Sequence, residues 1–65
     1  MDLGSRLKTA LREAGVNVFM CRVKRDAGML FATLVLSGYS TQLQSAPGLD
    51  DEAAIRDLVE QAKRL

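Results

Sequence analysis

The chain has 65 residues and a formal net charge of +1, and 48% of its residues are hydrophobic and 26% charged. This composition is typical of a folded globular domain and excludes an intrinsically disordered chain. The length allows one small domain, which we place over residues 1–65. Domains this small often depend on disulfides, a metal or oligomerisation for stability.

Cys21 is the single cysteine, and the chain contains no histidine. An internal disulfide is therefore excluded, and a self-contained zinc site lacks ligands. We expect no metal and no cofactor, which leaves oligomerisation as the stabilising device. Residues 1–5 do not resemble a signal peptide, and no apolar segment reaches the 18 residues of a membrane span. We accordingly expect a cytoplasmic protein with no membrane partner.

The first predicted element is a helix over residues 5–14. Asp2 or Ser5 is suited to cap its N-terminus, and Gly15 is suited to end it in the left-handed conformation. Apolar residues recur at helical spacing and share one face. These residues are Leu3, Leu7, Ala10, Leu11 and Ala14.

Two apolar segments, 16–23 and 29–37, predict an antiparallel β-hairpin. The connecting residues 25–28 are typical of a three-residue loop that ends in a left-handed glycine. This loop pairs Arg25 with Met29, and the pairing determines which side chains share a face. One predicted face carries Val16, Val18, Met20, Arg22, Lys24, Leu30, Ala32, Leu34 and Leu36. The opposite face, the predicted partner face, carries Phe19, Cys21, Val23, Met29, Phe31, Thr33 and Val35, with Asn17, Arg25 and Ser37.

The last third of the chain predicts one helix and one segment with two alternatives. Residues 39–45 alternate in polarity and form either a short third strand or a loop. Asp50 is a favourable N-cap for a second helix, with Asp51 and Glu52 in its first turn and Lys63 and Arg64 in its last. Its apolar stripe consists of Ala54, Ile55, Leu58, Val59, Ala62 and Leu65.

These elements predict an α+β fold, a small α-β-β-α domain in which both helices cover one face of an antiparallel hairpin. The mainly aliphatic face suits a helix layer, which leaves the predicted partner face uncovered. Its apolar residues would expose roughly 300–500 Å², as much as the largest patch usually found on a monomer. We therefore predict a non-enzymatic binding module that acts through protein–protein association, with a homodimer as the first choice and another protein as the second.

The distribution of charge supports an alternative function. Residues 1–26 contain six basic and three acidic residues, whereas residues 27–65 contain three basic and five acidic ones. A basic surface beside the rings of Phe19 and Phe31 is typical of nucleic-acid binding. Equally, cations near strand ends discourage edge-to-edge pairing without any ligand. The candidate phosphate contacts are Arg6, Lys8, Arg12, Arg22, Lys24 and Arg25.

No pattern in the chain predicts catalysis. Cys21 lacks a histidine base, and the hydroxyl groups of residues 40, 41 and 45 lack any evident base. The acidic residues 50–52 are explained by the start of a helix, and the glycines form no phosphate loop. We predict that the protein is not an enzyme. By analogy of size and composition alone, it is an accessory or inhibitory factor of a bacterium or phage.

Overall fold

The computed structural model describes residues 2–65 as two helices and one three-stranded sheet. The strands are antiparallel in the order β1-β2-β3, and α1 packs over β1 while α2 packs over β2 and β3. The predicted α+β fold is confirmed, with residues 39–44 as a third strand. In chain order the elements are α1 (Leu3–Glu13), β1 (Met20–Asp26), β2 (Met29–Leu36), β3 (Tyr39–Gln44) and α2 (Asp51–Ala62).

Carboxylate caps begin both helices. The side chain of Asp2 accepts a hydrogen bond from the Ser5 N–H at 2.7 Å, so α1 begins two residues earlier than predicted. Asp50 accepts one from the Ala53 N–H at 2.8 Å, as predicted for α2. After α1, Gly15 has φ = +85°, the left-handed conformation expected of it.

The core lies between the helices and one face of β2. Leu30, Ala32 and Leu34 alternate along β2 and are fully buried. The prediction that this face of β2 meets the helices is therefore confirmed. Leu65 is 56% exposed, so its assignment to the apolar stripe of α2 is wrong. The helices contribute Leu7, Leu11, Ala54, Ile55, Leu58 and Ala62.

The hairpin loop differs from the prediction and shifts the register by one residue. Asp26 pairs with Met29, leaving a two-residue loop of Ala27 and Gly28. Both loop residues have positive φ, +52° and +77°, as in a type I′ turn. The predicted pairing of Arg25 with Met29 is wrong because Asp26 belongs to the ladder. Since side chains alternate along a strand, the shift exchanges the two faces of β1.

The alternation of side chains is interrupted just before β1. Val16 and Val18 pack against the core as predicted, and so does Cys21, three residues after Val18. Phe19 and Met20 both point away from the core and are 70% and 50% exposed. Because of the interruption and the two-residue loop, the β1 side chains that were predicted to face away from the helices face them instead, and the other β1 side chains face away.

The segment between β3 and α2 is tied to the hairpin and to α2. Ser45 donates its N–H to the carbonyl of Leu30 at 2.8 Å, and its hydroxyl accepts the Leu30 N–H at 3.0 Å. The Gly48 N–H donates to the carbonyl of Gly28 at the hairpin tip, at 3.0 Å. Asp57 of α2 accepts the Ala46 N–H at 2.8 Å. This segment is therefore an ordered brace between the sheet and α2.

Candidate interaction face of the sheet

One side of the sheet is not covered by any element of residues 2–65, because both helices lie on the other side. The register and the alternation of side chains determine which residues lie on this side. We call it the open face. It consists of Met20, Arg22, Lys24 and Asp26 of β1, Met29, Phe31, Thr33 and Val35 of β2, and Ser40, Gln42 and Gln44 of β3.

The open face has an apolar central strand between a basic strand and an amide-bearing strand. Along one row, Phe31 lies between Lys24 and Gln44. Along the next row, Thr33 pairs with Arg22 on one side and Gln42 on the other, and the row after that contains Met20, Val35 and Ser40. In these two rows, the central strand is therefore flanked by a cation on one side and a side-chain amide on the other.

The apolar side chains of the open face are partly screened by their neighbours. Met29, Phe31 and Val35 are half-buried, and Thr33 is exposed. The side-chain amide of Gln44 donates to the sulfur of Met29 at 3.1 Å, and the backbone carbonyl of Gln44 accepts from the side-chain amide of Gln61 at 2.8 Å. A shallow hollow of about 220 Å³ lies beside Phe31, lined also by Lys24, Asp26 and Gln42. The face is thus a mixed surface rather than a bare apolar patch.

Of the residues assigned to the predicted partner face, those of β2 lie on the uncovered side of the sheet, whereas those of β1 lie on the helix side. Met29, Phe31, Thr33 and Val35 lie on the open face, and the exposed ring of Phe19 lies just before β1. Cys21 and Val23 instead pack against the core on the helix side, because the register shift exchanges the faces of β1.

Cys21 occupies a structural position on the helix side of the sheet. Its burial raises the pKa of the thiol, and the charge of Lys8 only partly opposes that effect. A raised pKa leaves less thiolate at neutral pH, which makes the thiol a poor nucleophile. The structural interpretation of this residue therefore fits its surroundings.

The six predicted phosphate contacts do not share one surface. Arg22 and Lys24 lie on the open face, but Arg25 points to the helix side and forms an ion pair with Asp51. Their role as phosphate contacts stays a prediction. Arg6 and Arg12 are exposed on α1, and the Lys8 ammonium donates to the carbonyl of Phe19 at 3.2 Å. Two of these six cations therefore lie on the open face.

The sequence prediction missed the contribution of β3 to this face. The pattern Ser40, Gln42, Gln44 places three neutral hydrogen-bonding side chains on one side of a strand. This alternation of side chains was the signal for a strand in the sequence, but it did not decide between a strand and a loop. The amides give the open face acceptors that the predicted hairpin lacks.

The remaining features of residues 2–65 do not add a reactive centre. No group of three or more cysteine, aspartate or glutamate side chains there could hold a metal ion. A shallow hollow of about 290 Å³ lies on α2, lined by Leu49, Ala53, Arg56, Asp57 and Glu60. Neither α1 nor α2 has the length and apolar character needed to cross a bilayer.

No protein-family model, curated protein or solved structure matches this chain.

Proposed function

We propose that this protein is a small non-enzymatic binding module that acts through protein–protein association at the open face, with a second copy of the chain as its first partner. The observation that supports this function is an uncovered sheet face with an apolar central strand, Met29, Phe31 and Val35. Aromatic, methionine and arginine side chains are enriched in protein interfaces, and the open face contains all three.

The proposal retains the binding surface predicted from the sequence but changes its chemistry. Arg22 and Lys24 replace Cys21 and Val23 on the face, so less apolar area drives association. A face of this kind is typical of reversible rather than obligate association. A cytoplasmic location and an accessory or inhibitory role remain part of the proposal.

A pair of substitutions on neighbouring positions of β2 tests the proposal. Phe31→Asp places a charge on the open face, and we expect it to weaken self-association at least tenfold while the far-ultraviolet circular dichroism is retained. Leu34→Asp places a charge in the fully buried core, and we expect it to unfold the protein. Thr9→Asp, on the exposed side of α1, is the matched control for added negative charge.

The measurements are sedimentation equilibrium for mass and circular dichroism for fold. A wild-type chain that remains a monomer at millimolar concentration would contradict self-association. If Phe31→Asp unfolds the chain and Leu34→Asp leaves it folded, the assignment of the two faces is inverted.

A second candidate function is the binding of single-stranded nucleic acid at the same face. The specific observation in its favour is that Lys24 flanks the ring of Phe31 and Arg22 lies in the next row. An aromatic ring can stack on a base while adjacent cations contact phosphates, and neutral amides can bond to base edges. This candidate uses Arg22 and Lys24 rather than all six predicted phosphate contacts.

A further inference from the structure

We propose that the outer edge of β3 binds an extended peptide segment of a partner protein, which adds to the sheet as a further strand. This edge is separate from the open face, so the inference goes beyond the proposed function. β3 is the last strand in the sheet order, and within residues 2–65 no strand pairs with its outer side. The inference rests on the contrast between the two edges of the sheet.

The hydrogen bonds of Ser45 identify the backbone groups of β3 that point outward. The carbonyl of Leu30 accepts the Ser45 N–H at 2.8 Å, and the Leu30 N–H donates to the Ser45 hydroxyl at 3.0 Å. Bonded and non-bonded pairs alternate along an antiparallel ladder. The backbone N–H and C=O groups of Ser40, Gln42 and Gln44 therefore point away from β2.

α2 closes one end of this outward row and leaves the other end open. The side-chain amide of Gln61 already occupies the Gln44 carbonyl. The outward N–H and C=O groups of Ser40 and Gln42 have no hydrogen-bond partner in residues 2–65. β3 contains no charged residue and no proline, which are the usual protections of an exposed edge. Residues 40–42 are therefore an unprotected stretch of edge.

The opposite edge of the sheet, along β1, is protected in two ways. The start of α1 lies against it, because a Cβ added to Gly4 would stand 3.2 Å from the carbonyl oxygen of Cys21. The Lys8 ammonium donates to the carbonyl of Phe19, just before β1. β1 also carries three cations and one carboxylate, and charged side chains discourage edge pairing. The fold thus leaves only the β3 edge suited to accept a strand.

The chemistry of the β3 edge selects its occupant. Outward N–H and C=O groups recur every second residue, ~7 Å apart, a spacing that an extended backbone matches. Pairing along residues 40–42 covers roughly 10 Å of strand, so a second copy would bury a few hundred Å² there. That area lies far below the ~1,200 Å² at which specific interfaces between folded domains begin. A peptide held by main-chain hydrogen bonds is the partner that fits so short an edge.

The side chains of β3 predict the pattern of the bound peptide. Tyr39, Thr41 and Leu43 lie on the helix side of the strand, and Tyr39 is 52% exposed. Ser40 and Gln42 lie on the open face and are polar and uncharged. Side chains of neighbouring strands that share a face contact one another. We therefore expect a peptide in which apolar or β-branched residues alternate with uncharged polar ones.

Gln42→Pro tests the edge, because proline removes an outward N–H and leaves the ladder to β2 intact. The probe is a peptide selected for binding to the wild-type chain from a displayed library of random sequences. We expect Gln42→Pro to weaken binding of this peptide about tenfold or more, while the far-ultraviolet circular dichroism is retained. Gln42→Ala keeps the backbone N–H and is the matched control, which should bind as the wild type does.

Hydrogen exchange followed by nuclear magnetic resonance supplies a measurement that needs no variant. The amides of Ser40 and Gln42 should exchange rapidly in the free chain and about tenfold or more slowly in the complex with the peptide. The amides of Thr41 and Leu43 point toward β2, so they should be protected in both states.

Three outcomes would overturn the inference and leave the proposed function of the open face standing. The first is a library that yields no binding peptide. The second is a selected peptide that binds Gln42→Pro as tightly as the wild type or leaves the exchange of the Ser40 and Gln42 amides unchanged. The third is protection of these two amides in a dimer of the wild-type chain without peptide, which would assign the edge to a second copy.

Discussion

Ser45 shows how a single side chain extends the sheet beyond the end of a strand. Phe31 is paired with Gln44 at the end of β3, so Leu30 lies opposite Ser45, and its buried N–H needs an acceptor there. The Ser45 hydroxyl supplies that acceptor, while its own N–H returns a bond to Leu30. The serine is 2% exposed and occupies a structural position rather than that of a nucleophile.

We expect Ser45→Ala to destabilise the fold by about 1–3 kcal/mol, because the buried N–H of Leu30 loses its partner. Urea denaturation measures the change in the free energy of unfolding. Ser40→Ala, on the exposed part of β3, should stay within about 0.5 kcal/mol of the wild type. Equal effects of the two substitutions would contradict this role of Ser45.

At the scale of elements, the hairpin loop determines which side chains of β1 are available to a partner. Ala27 adopts φ = +52°, where a residue with a Cβ is strained by about 1 kcal/mol or more. Asparagine tolerates this conformation and is favoured in type I′ loops. Alanine at position 27 therefore raises the conformational free energy of the loop, whereas glycine at position 28 adopts its positive φ without strain.

Substitutions at position 27 distinguish the observed loop from the three-residue loop predicted by sequence. We expect Ala27→Asn to stabilise the protein by about 0.5–1 kcal/mol and Ala27→Val to destabilise it by more than about 1 kcal/mol. Thermal denaturation of the two variants against the wild type gives both values. In a three-residue loop this position is right-handed, so both changes would then be small.

The elements themselves could be predicted because their signals are local. The cap at Asp50, the helical spacing of Leu7 and Leu11, and the apolar alternation of β2 each involve a few neighbouring residues. The face of β1 could not be predicted, because Asp-Ala-Gly fits two loop lengths and the extra outward residue at Phe19 leaves no mark in the apolar pattern. Whether Asp26 belongs to the loop or to the ladder therefore determines which side chains of β1 lie on the open face.

At the scale of the whole molecule, the cations are divided between two sides. Arg6 and Arg12 lie on α1 in the helix layer, whereas Arg22 and Lys24 lie on the open face. The acidic start of α2 neutralises Arg25 through Asp51. Long-range attraction of a polyanion to the open face thus rests on two charges, opposed in part by Asp26.

If single-stranded nucleic acid binds the open face, this division of charge predicts how the binding constant depends on salt concentration. Neutralising about two phosphates predicts a slope of about −1.4 in log K against log salt for a single strand. Arg22→Glu with Lys24→Glu should abolish binding to a fluorescent oligonucleotide, while Arg6→Glu with Arg12→Glu should leave most of it. Absence of detectable binding at low salt excludes this candidate, and a slope near −4 would contradict the division of charge.

The hydrogen bond from Gly48 to Gly28 has a consequence for how the molecule meets a partner. A hairpin tip without this hydrogen bond would be mobile, and binding of a partner would restrict its motion at a cost in conformational entropy. Here the tip is tethered to the chain ahead of α2, so the half of the ribbon nearest Phe31 is held rigid before any encounter. At the opposite end of the ribbon, the Phe19 N–H donates to the carbonyl of Val35 at 2.8 Å and the Phe19 carbonyl accepts from the Lys8 ammonium at 3.2 Å. Both ends of the sheet are therefore anchored to neighbouring parts of the chain, and we expect a partner to meet a surface that changes little on binding.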